Sequence, residues 1–337
     1  MNTSLFAGVG LALVAGVTMG NFLLPLKWAR NWKWENTWLV FSLVSLLVLP
    51  LGLAFLLLPN LAAVYASLPL RTLLLPFVFG AGWGIAQVGL GLCVSRFGLA
   101  LTLSLLIGVG AACGTIIPMM VLHPATLVES RGLLVLAGTL VMLAGVAVCA
   151  WAGWQREKTA GQAPVAGGYG RAVLLAVVSG VLSSLLNFAL AFCGEIVQRA
   201  QEQGARNAFA PFAVWPIALL GGLFVNVGYS CYLLTHNQTW GHFRPLGREV
   251  LNPVLMGVMW MGAIALYSSG STYLGVLGVS IGWALFQITM ILAGNVSGLL
   301  TGEWQRLESR IYRTNLAGVS VLFLAIIIIG AADWFAG

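Results

Sequence analysis

Apolar residues run along this chain in stretches of about twenty, separated by short polar or proline-bearing breaks. A helix needs roughly 20 mainly apolar residues to cross the hydrocarbon core of a bilayer. Ten stretches meet that length: about 4–24, 37–58, 71–93, 98–120, 132–152, 171–194, 211–233, 250–269, 273–299 and 314–335. Pro25 with Lys27, Pro59-Asn60, Arg96-Phe97-Gly98, His123-Pro124 and Gly302-Glu303 punctuate them. The longer connections, about 153–170 and 234–249, are too short for a soluble domain. The pattern predicts an all-α polytopic membrane protein with ten transmembrane helices.

Composition agrees. Of 337 residues, 60% are apolar and 7% charged, against about a quarter charged in a soluble domain. The net charge of +7 comes from basic residues in short connections, so it speaks of a lipid bilayer and not of nucleic acid. Cys93, Cys113, Cys149, Cys193 and Cys231 show no Cys-x-x-Cys spacing and read as buried thiols. No Lys or Arg precedes the first apolar run, so that run reads as a mature helix and not a cleaved signal.

Loop charge sets the orientation. The odd-to-even connections hold Lys27, Arg30, Lys33, Arg96, Arg156, Lys158, Arg171, Arg244, Arg248, Arg306, Arg310 and Arg313. The opposite side holds only Arg71, Arg131, Arg199 and Arg206. Both termini are therefore expected outside the cytoplasm. Residues 195–209, charged at helical spacing, are expected to lie as an amphipathic piece on the outer surface.

Five spans plus five require inversion, because an odd number of crossings turns the second copy over. Ala15-Gly16-Val17 with Asn21-Phe22 in span one has a counterpart in Ser179-Gly180-Val181 with Asn187-Phe188 in span six. The expected units are a repeat over 1–152, a cytoplasmic linker over 153–170 and a repeat over 171–337. Gly80, Gly82 and Gly84 in span three and Gly108, Gly110 and Gly114 in span four are small-residue faces for close packing. Such faces serve contacts within and between chains alike, so no oligomeric state follows. Pro118 predicts a kink in span four, with Thr115 beside it to satisfy the freed carbonyl.

The chemistry inside the spans is neutral. No carboxylate, lysine or arginine falls near a span centre. Glu195 would face a cavity only if span six ran a turn longer, which makes it the proton-coupling candidate beside an interfacial reading. Glu35, among Lys33, Trp32, Trp34 and Trp38, is weighed in the same way. His123, His236 and His242 lie on opposite sides and predict no metal site. Without His-Glu-x-x-His, Gly-x-Ser-x-Gly or a Walker loop, no enzyme and no cofactor is expected. What recurs is amide with aromatic. Trp83 with Gln87 and Trp283 with Gln287 are four apart, and Trp260 with Tyr267 seven apart, so each pair shares a helix face. Asn21 and Asn187 hold similar places in spans one and six. A neutral polyol fits these groups, the amides bonding its hydroxyls and an indole covering its C–H face. For each pair the other reading is an interfacial belt residue or interhelical glue.

These residues also carry a resemblance. Pro25-Leu26-Lys27 through Trp32-Lys33-Trp34-Glu35-Asn36-Thr37-Trp38 resembles the first cytoplasmic loop of the L-rhamnose–proton symporter family, within the drug/metabolite transporter superfamily. The likeness continues through Phe79–Ile85, Arg96-Phe97-Gly98, Gly114-Thr115 with Pro118, Asn226–Tyr229, Met259-Trp260 with Tyr267 and Gly270, Ile281-Gly282-Trp283 and Gly302-Glu303-Trp304. It implies two inverted five-helix repeats in a bacterial inner membrane, both termini periplasmic, and uptake of a small neutral 6-deoxyhexose with a proton. It implies a central cavity walled by spans one, three, four, six, eight and nine, with Trp83, Trp260 and Tyr267 in it. Val279-Ser280 stands where the family pattern has an acid, and Gln87 and Asn187 stand where it has smaller polar residues. An exporter or facilitator of another small molecule remains the alternative.

Overall fold

The computed structural model describes residues 3–97, 99–159, 169–244, 247–302 and 308–332. Gly98, Glu303, Trp304, Arg306, Asp333 and linker residues 160–168 lie outside that description, as do the side chains of Cys93, Arg96 and Arg171. Among the described residues the chain is all helix, without a strand. The helices are α1 (Thr3–Asn21), α2 (Trp34–Leu43), α3 (Leu49–Leu57), α4 (Leu61–Ala66), α5 (Leu70–Phe97), α6 (Leu99–Leu122) and α7 (Ser130–Thr159). There follow α8 (Tyr169–Ser183), α9 (Leu185–Phe192), α10 (Gly194–Glu202), α11 (Trp215–His236), α12 (Leu251–Ser271), α13 (Gly278–Leu300) and α14 (Ser309–Ala331). Among the described residues nine segments are long and apolar enough to cross a membrane, and α6 adds a shorter apolar stretch, Leu106–Leu122.

Two boundaries differ from the hydropathy reading. The expected linker begins as helix, since α7 continues to Thr159. Gln155, Arg156, Glu157 and Lys158 form helix readily, and the cations suit its negative C-terminal end. Span six runs on through α9 into α10, with breaks at Ser184 and Cys193. In α10 Ile196 and Ala200 are buried while Glu195, Gln198 and Glu202 face out, the amphipathic pattern expected of 195–209. The helix stops at Glu202, and Gly204 turns the chain with φ +93°.

Prolines explain the irregular turns. Pro50 cannot donate to the carbonyl of Leu46, and a wide π turn over Val44–Val48 precedes it. Pro118 inside α6 likewise leaves the carbonyl of Gly114 without its helical partner.

The helices pack by small residues, as expected where lipid removes the hydrophobic drive for association. A Cβ at Gly80 would lie 1.6 Å from the carbonyl oxygen of Ala218, so α5 and α11 touch backbone to backbone. A Cβ at Gly16 would lie 2.5 Å from that of Thr289 on α13. A Cβ at Gly180 on α8 would lie 2.8 Å from that of Val109 on α6. Helix α1 packs on α12 and α13, α8 on α5 and α6, α12 on α2, and α7 on α14.

Candidate functional site

Two aromatic groups meet on α12, two turns apart. Trp260 is buried with its ring 5.5 Å from that of Trp83 on α5. Phe41 of α2 meets Trp260 edge-on at 6.3 Å, and Trp38 and Trp34 continue the row at 4.8 and 4.9 Å. The Trp38 indole donates to Asn226 Oδ1 at 3.0 Å, and Asn226 Nδ2 donates to the Gly222 carbonyl of its own helix. Seven residues on from Trp260, Tyr267 is fully buried, 5.5 Å from Trp283 and 5.3 Å from Phe286 of α13. The 3.6-residue period gives Trp260 and Tyr267 the shared face that their spacing predicts.

A polar strut crosses the second group. Asn187 of α9, with no exposed surface, donates from Nδ2 to the carbonyl of Gly114 at 2.8 Å. That carbonyl is the one Pro118 leaves free, so an amide from another helix completes the ladder of α6. Asn187 Oδ1 in turn accepts from the Tyr267 hydroxyl. The single hydroxyl proton of Tyr267 has the carbonyl of Val279, at 3.2 Å, as its other acceptor. The Trp283 indole donates to the Gly110 carbonyl at 3.3 Å. The expectation that Thr115 satisfies the freed carbonyl is overturned: its hydroxyl is buried without a hydrogen-bond partner among the described residues. Asn187 reaches the carbonyl from outside the helix, and one acceptor needs only one such donor here.

Gly114 also makes room. The Trp283 indole lies against its backbone, so an added Cβ would fall 2.3 Å from Nε1. Gly114→Ala is expected to cost about 1–3 kcal/mol of stability through overpacking, read as a lower melting temperature of the detergent-solubilised protein. An unchanged melting temperature would mean that the indole moves freely.

The remaining candidates fall at different places. Gln287, one turn beyond Trp283, is buried yet makes no hydrogen bond among the described residues. Gln87, one turn beyond Trp83, is half-buried and equally unbonded among them. Asn21 stands apart at the far end of α1, donating to the Val17 carbonyl at 2.7 Å and accepting from Ser297 of α13. Glu195 is exposed at the start of α10, where its carboxylate accepts from the Thr72 hydroxyl at 3.0 Å. Among the described residues no cluster of His, Cys, Asp and Glu has the makings of a metal site. Phe41, Phe286 and Trp38 join the site without having been chosen from the sequence. The three-residue spacing of Trp38 and Phe41 puts both on one face of α2 without telling which way that face points.

The site is closed toward the 272–277 turn. Trp215, Ser268, Ser271, Leu274 and Leu277 are buried there, and the Trp215 indole donates to Ser268 at 3.2 Å. Ser269 donates to the Ala208 carbonyl, and Arg131 to that of Leu274, both at 2.8 Å. Tyr65 donates to the Ala213 carbonyl at 2.8 Å, and burial pushes its hydroxyl above the usual tyrosine range. Toward the opposite end Asn21, Phe22, Trp38 and Gln87 keep part of their surface open.

Known proteins resemble this chain along its whole length. The L-rhamnose-proton symporter of Pectobacterium carotovorum subsp. carotovorum is 27% identical over 339 residues, covering 98% of each chain. Those of Pectobacterium atrosepticum and Yersinia pestis are each 28% identical with the same coverage. A solved crystal structure superposes with a TM-score of 0.59 at 14% identity, over 98% of this chain and 96% of that one, a likeness of fold. The model of the L-rhamnose-proton symport protein family matches residues 1–333, a family of transporters and not of enzymes. With a match of that extent, the chain belongs to the L-rhamnose-proton symport protein family.

Proposed function

We propose that this chain carries L-rhamnose or a closely related 6-deoxyhexose into the cell together with a proton, by alternating access. The family match over residues 1–333 carries the reading. The chemistry of the site supports it. Trp83, Trp260, Tyr267 and Trp283 offer aromatic faces, and Gln87 and Gln287 offer amides that no protein group occupies among the described residues. A neutral polyol asks for that combination, since its hydroxyls bond amides and its C–H faces cover rings. In this reading Asn187 is a strut and Asn21 a tie to α13, while the sugar meets the tryptophans, Tyr267 and the two glutamines.

The architecture we infer is ten helices in two inverted five-helix repeats, 1–152 and 171–337, joined by the 153–170 connection. Counting α6 as a span gives α1, α2–α3, α5, α6 and α7, then α8–α10, α11, α12, α13 and α14. What supports the duplication is the packing. Exchanging each helix for its counterpart five spans away turns the contacts of α1 with α12 and α13 into those of α8 with α5 and α6. It turns α5 on α11 into α12 on α2, and returns α7 on α14 to itself. Loop charge supports both termini on the periplasmic side of a bacterial inner membrane. Membership of the drug/metabolite transporter superfamily is part of the same reading.

Uptake of labelled L-rhamnose by cells lacking their own carrier tests the function. Saturable uptake that a protonophore abolishes is the expected result, with L-fucose and L-mannose competing better than D-glucose. Uptake that survives the protonophore would favour a facilitator. That second reading draws support from the described residues, none of which brings a carboxylate against the aromatic site. No uptake of any sugar would favour an exporter.

A further inference from the structure

Symport with a proton needs a group that binds and releases it, and the chain has nine carboxylates from which to choose. Glu129, Glu195, Glu202 and Glu308 are exposed, and Glu249 is half-buried. Of the described carboxylates only Glu35 and Glu157 are buried. Glu157 belongs to α7, which packs chiefly on α14 and α6 and contributes none of the aromatic site. Glu35 belongs to α2, whose Trp38 and Phe41 lead directly to Trp260.

The surroundings of Glu35 are unusual for a buried charge. Its Oε1 accepts from Asn237 Nδ2 at 3.0 Å and from the Thr239 hydroxyl at 2.8 Å, both neutral donors beyond the end of α11. No ion pair reaches it among the described residues. Asn36 strengthens the same clasp by donating to the Thr239 carbonyl at 3.0 Å. A second carboxylate runs the opposite way, Glu249 accepting from the backbone N–H groups of Arg30 and Asn31 at 3.2–3.3 Å. The segment after α1 and the segment after α11 are thus held together by two carboxylates, one from each.

We propose that Glu35 is the proton-coupling residue of this transporter, an assignment that rests on the transport reading above. Neutral donors favour the ionised carboxylate, so a proton carried by Glu35 leaves as the clasp with Asn237 and Thr239 forms. Protonation replaces two charge-assisted hydrogen bonds by weaker neutral ones and lets α2 part from the 237–239 turn. Because Trp38 and Phe41 ride on α2, that movement reaches Trp260 and the sugar. The other charged groups facing this point are few. Lys33 acts from the N-cap of α2, and His236 faces it through a 3.1 Å contact with Asn237 Oδ1. His242 is on the neighbouring Trp240–Phe243 turn, and Arg30 stands with Glu249 in the paired segment. The packed helix α12 and the Val44–Val48 turn carry no charged residue.

The full chain in proteoliposomes allows two assays, L-rhamnose accumulation driven by an imposed pH gradient and L-rhamnose exchange at equal pH. For Glu35→Gln we expect gradient-driven accumulation to fall more than tenfold, while exchange stays within about threefold of the unsubstituted chain. Thr239→Val keeps the acid but removes a donor to its ionised form, so its pH profile of accumulation should move to higher pH. Accumulation that survives Glu35→Gln overturns the assignment. Loss of both assays in Glu35→Gln, with no shift of the profile in Thr239→Val, also overturns it, since Glu35 then serves only the fold. Absence of L-rhamnose movement in the unsubstituted chain sinks the transport reading itself, a result distinct from any behaviour of the variants.

Discussion

In a chain carrying Pro118→Ala, the substitution Asn187→Ala is expected to cost about 1–3 kcal/mol less than it does in the native sequence. The native cost has two sources. Removing the amide leaves the Gly114 carbonyl buried without a partner, because Pro118 has no N–H to offer it. It also strips the Tyr267 hydroxyl of its acceptor, although Val279 is within reach at 3.2 Å. Alanine at 118 restores the helical donor, so only the second loss remains. A double-mutant cycle of unfolding in mixed micelles measures the difference, and strictly additive costs would show that the proline and the amide act independently. The same pair bears on function. Asn187→Ala should lower Vmax of transport more than it raises the apparent KM, since its amide faces protein on both sides.

Nine of the ten expected spans have a counterpart among the described residues, and they were legible because a bilayer asks for about 20 apolar residues and expels charge from its middle. The face shared by Trp260 and Tyr267 was legible because a seven-residue spacing returns to the same side of a helix. Phe41 was not, for a physical reason. In a span whose faces are all apolar, an inward phenylalanine and a lipid-facing one have the same sequence context, so periodicity carries no contrast. The role of Asn187 was hidden differently. Its partner is a backbone carbonyl 73 residues away, freed by a proline one turn further along α6, and neither fact leaves a mark near Asn187. Asn21, at a similar place in the sequence of span one, donates to the Val17 carbonyl of its own helix and accepts from Ser297. Similar sequence surroundings thus go with different partners for the two amides.

Gln287→Leu should produce the opposite signature to Asn187→Ala. Gln287 makes no hydrogen bond among the described residues, and its amide is not among the fully buried unpartnered groups, so its removal breaks no described protein hydrogen bond. Replacing it with an apolar side chain of similar size should leave stability unchanged or raise it. A sugar that bonds this amide would lose about 0.5–1.5 kcal/mol of binding, which is roughly a threefold to tenfold rise in apparent KM. Equilibrium binding of labelled L-rhamnose to the purified protein, with its melting temperature measured alongside, separates the two effects. An unchanged affinity would remove Gln287 from the site. A fall in stability would mean that the amide is held by protein and not by substrate. Weakened binding in a protein at least as stable is the mark of a group whose partner is the sugar, because a substitution that breaks no protein hydrogen bond leaves the contact with the ligand as what was lost.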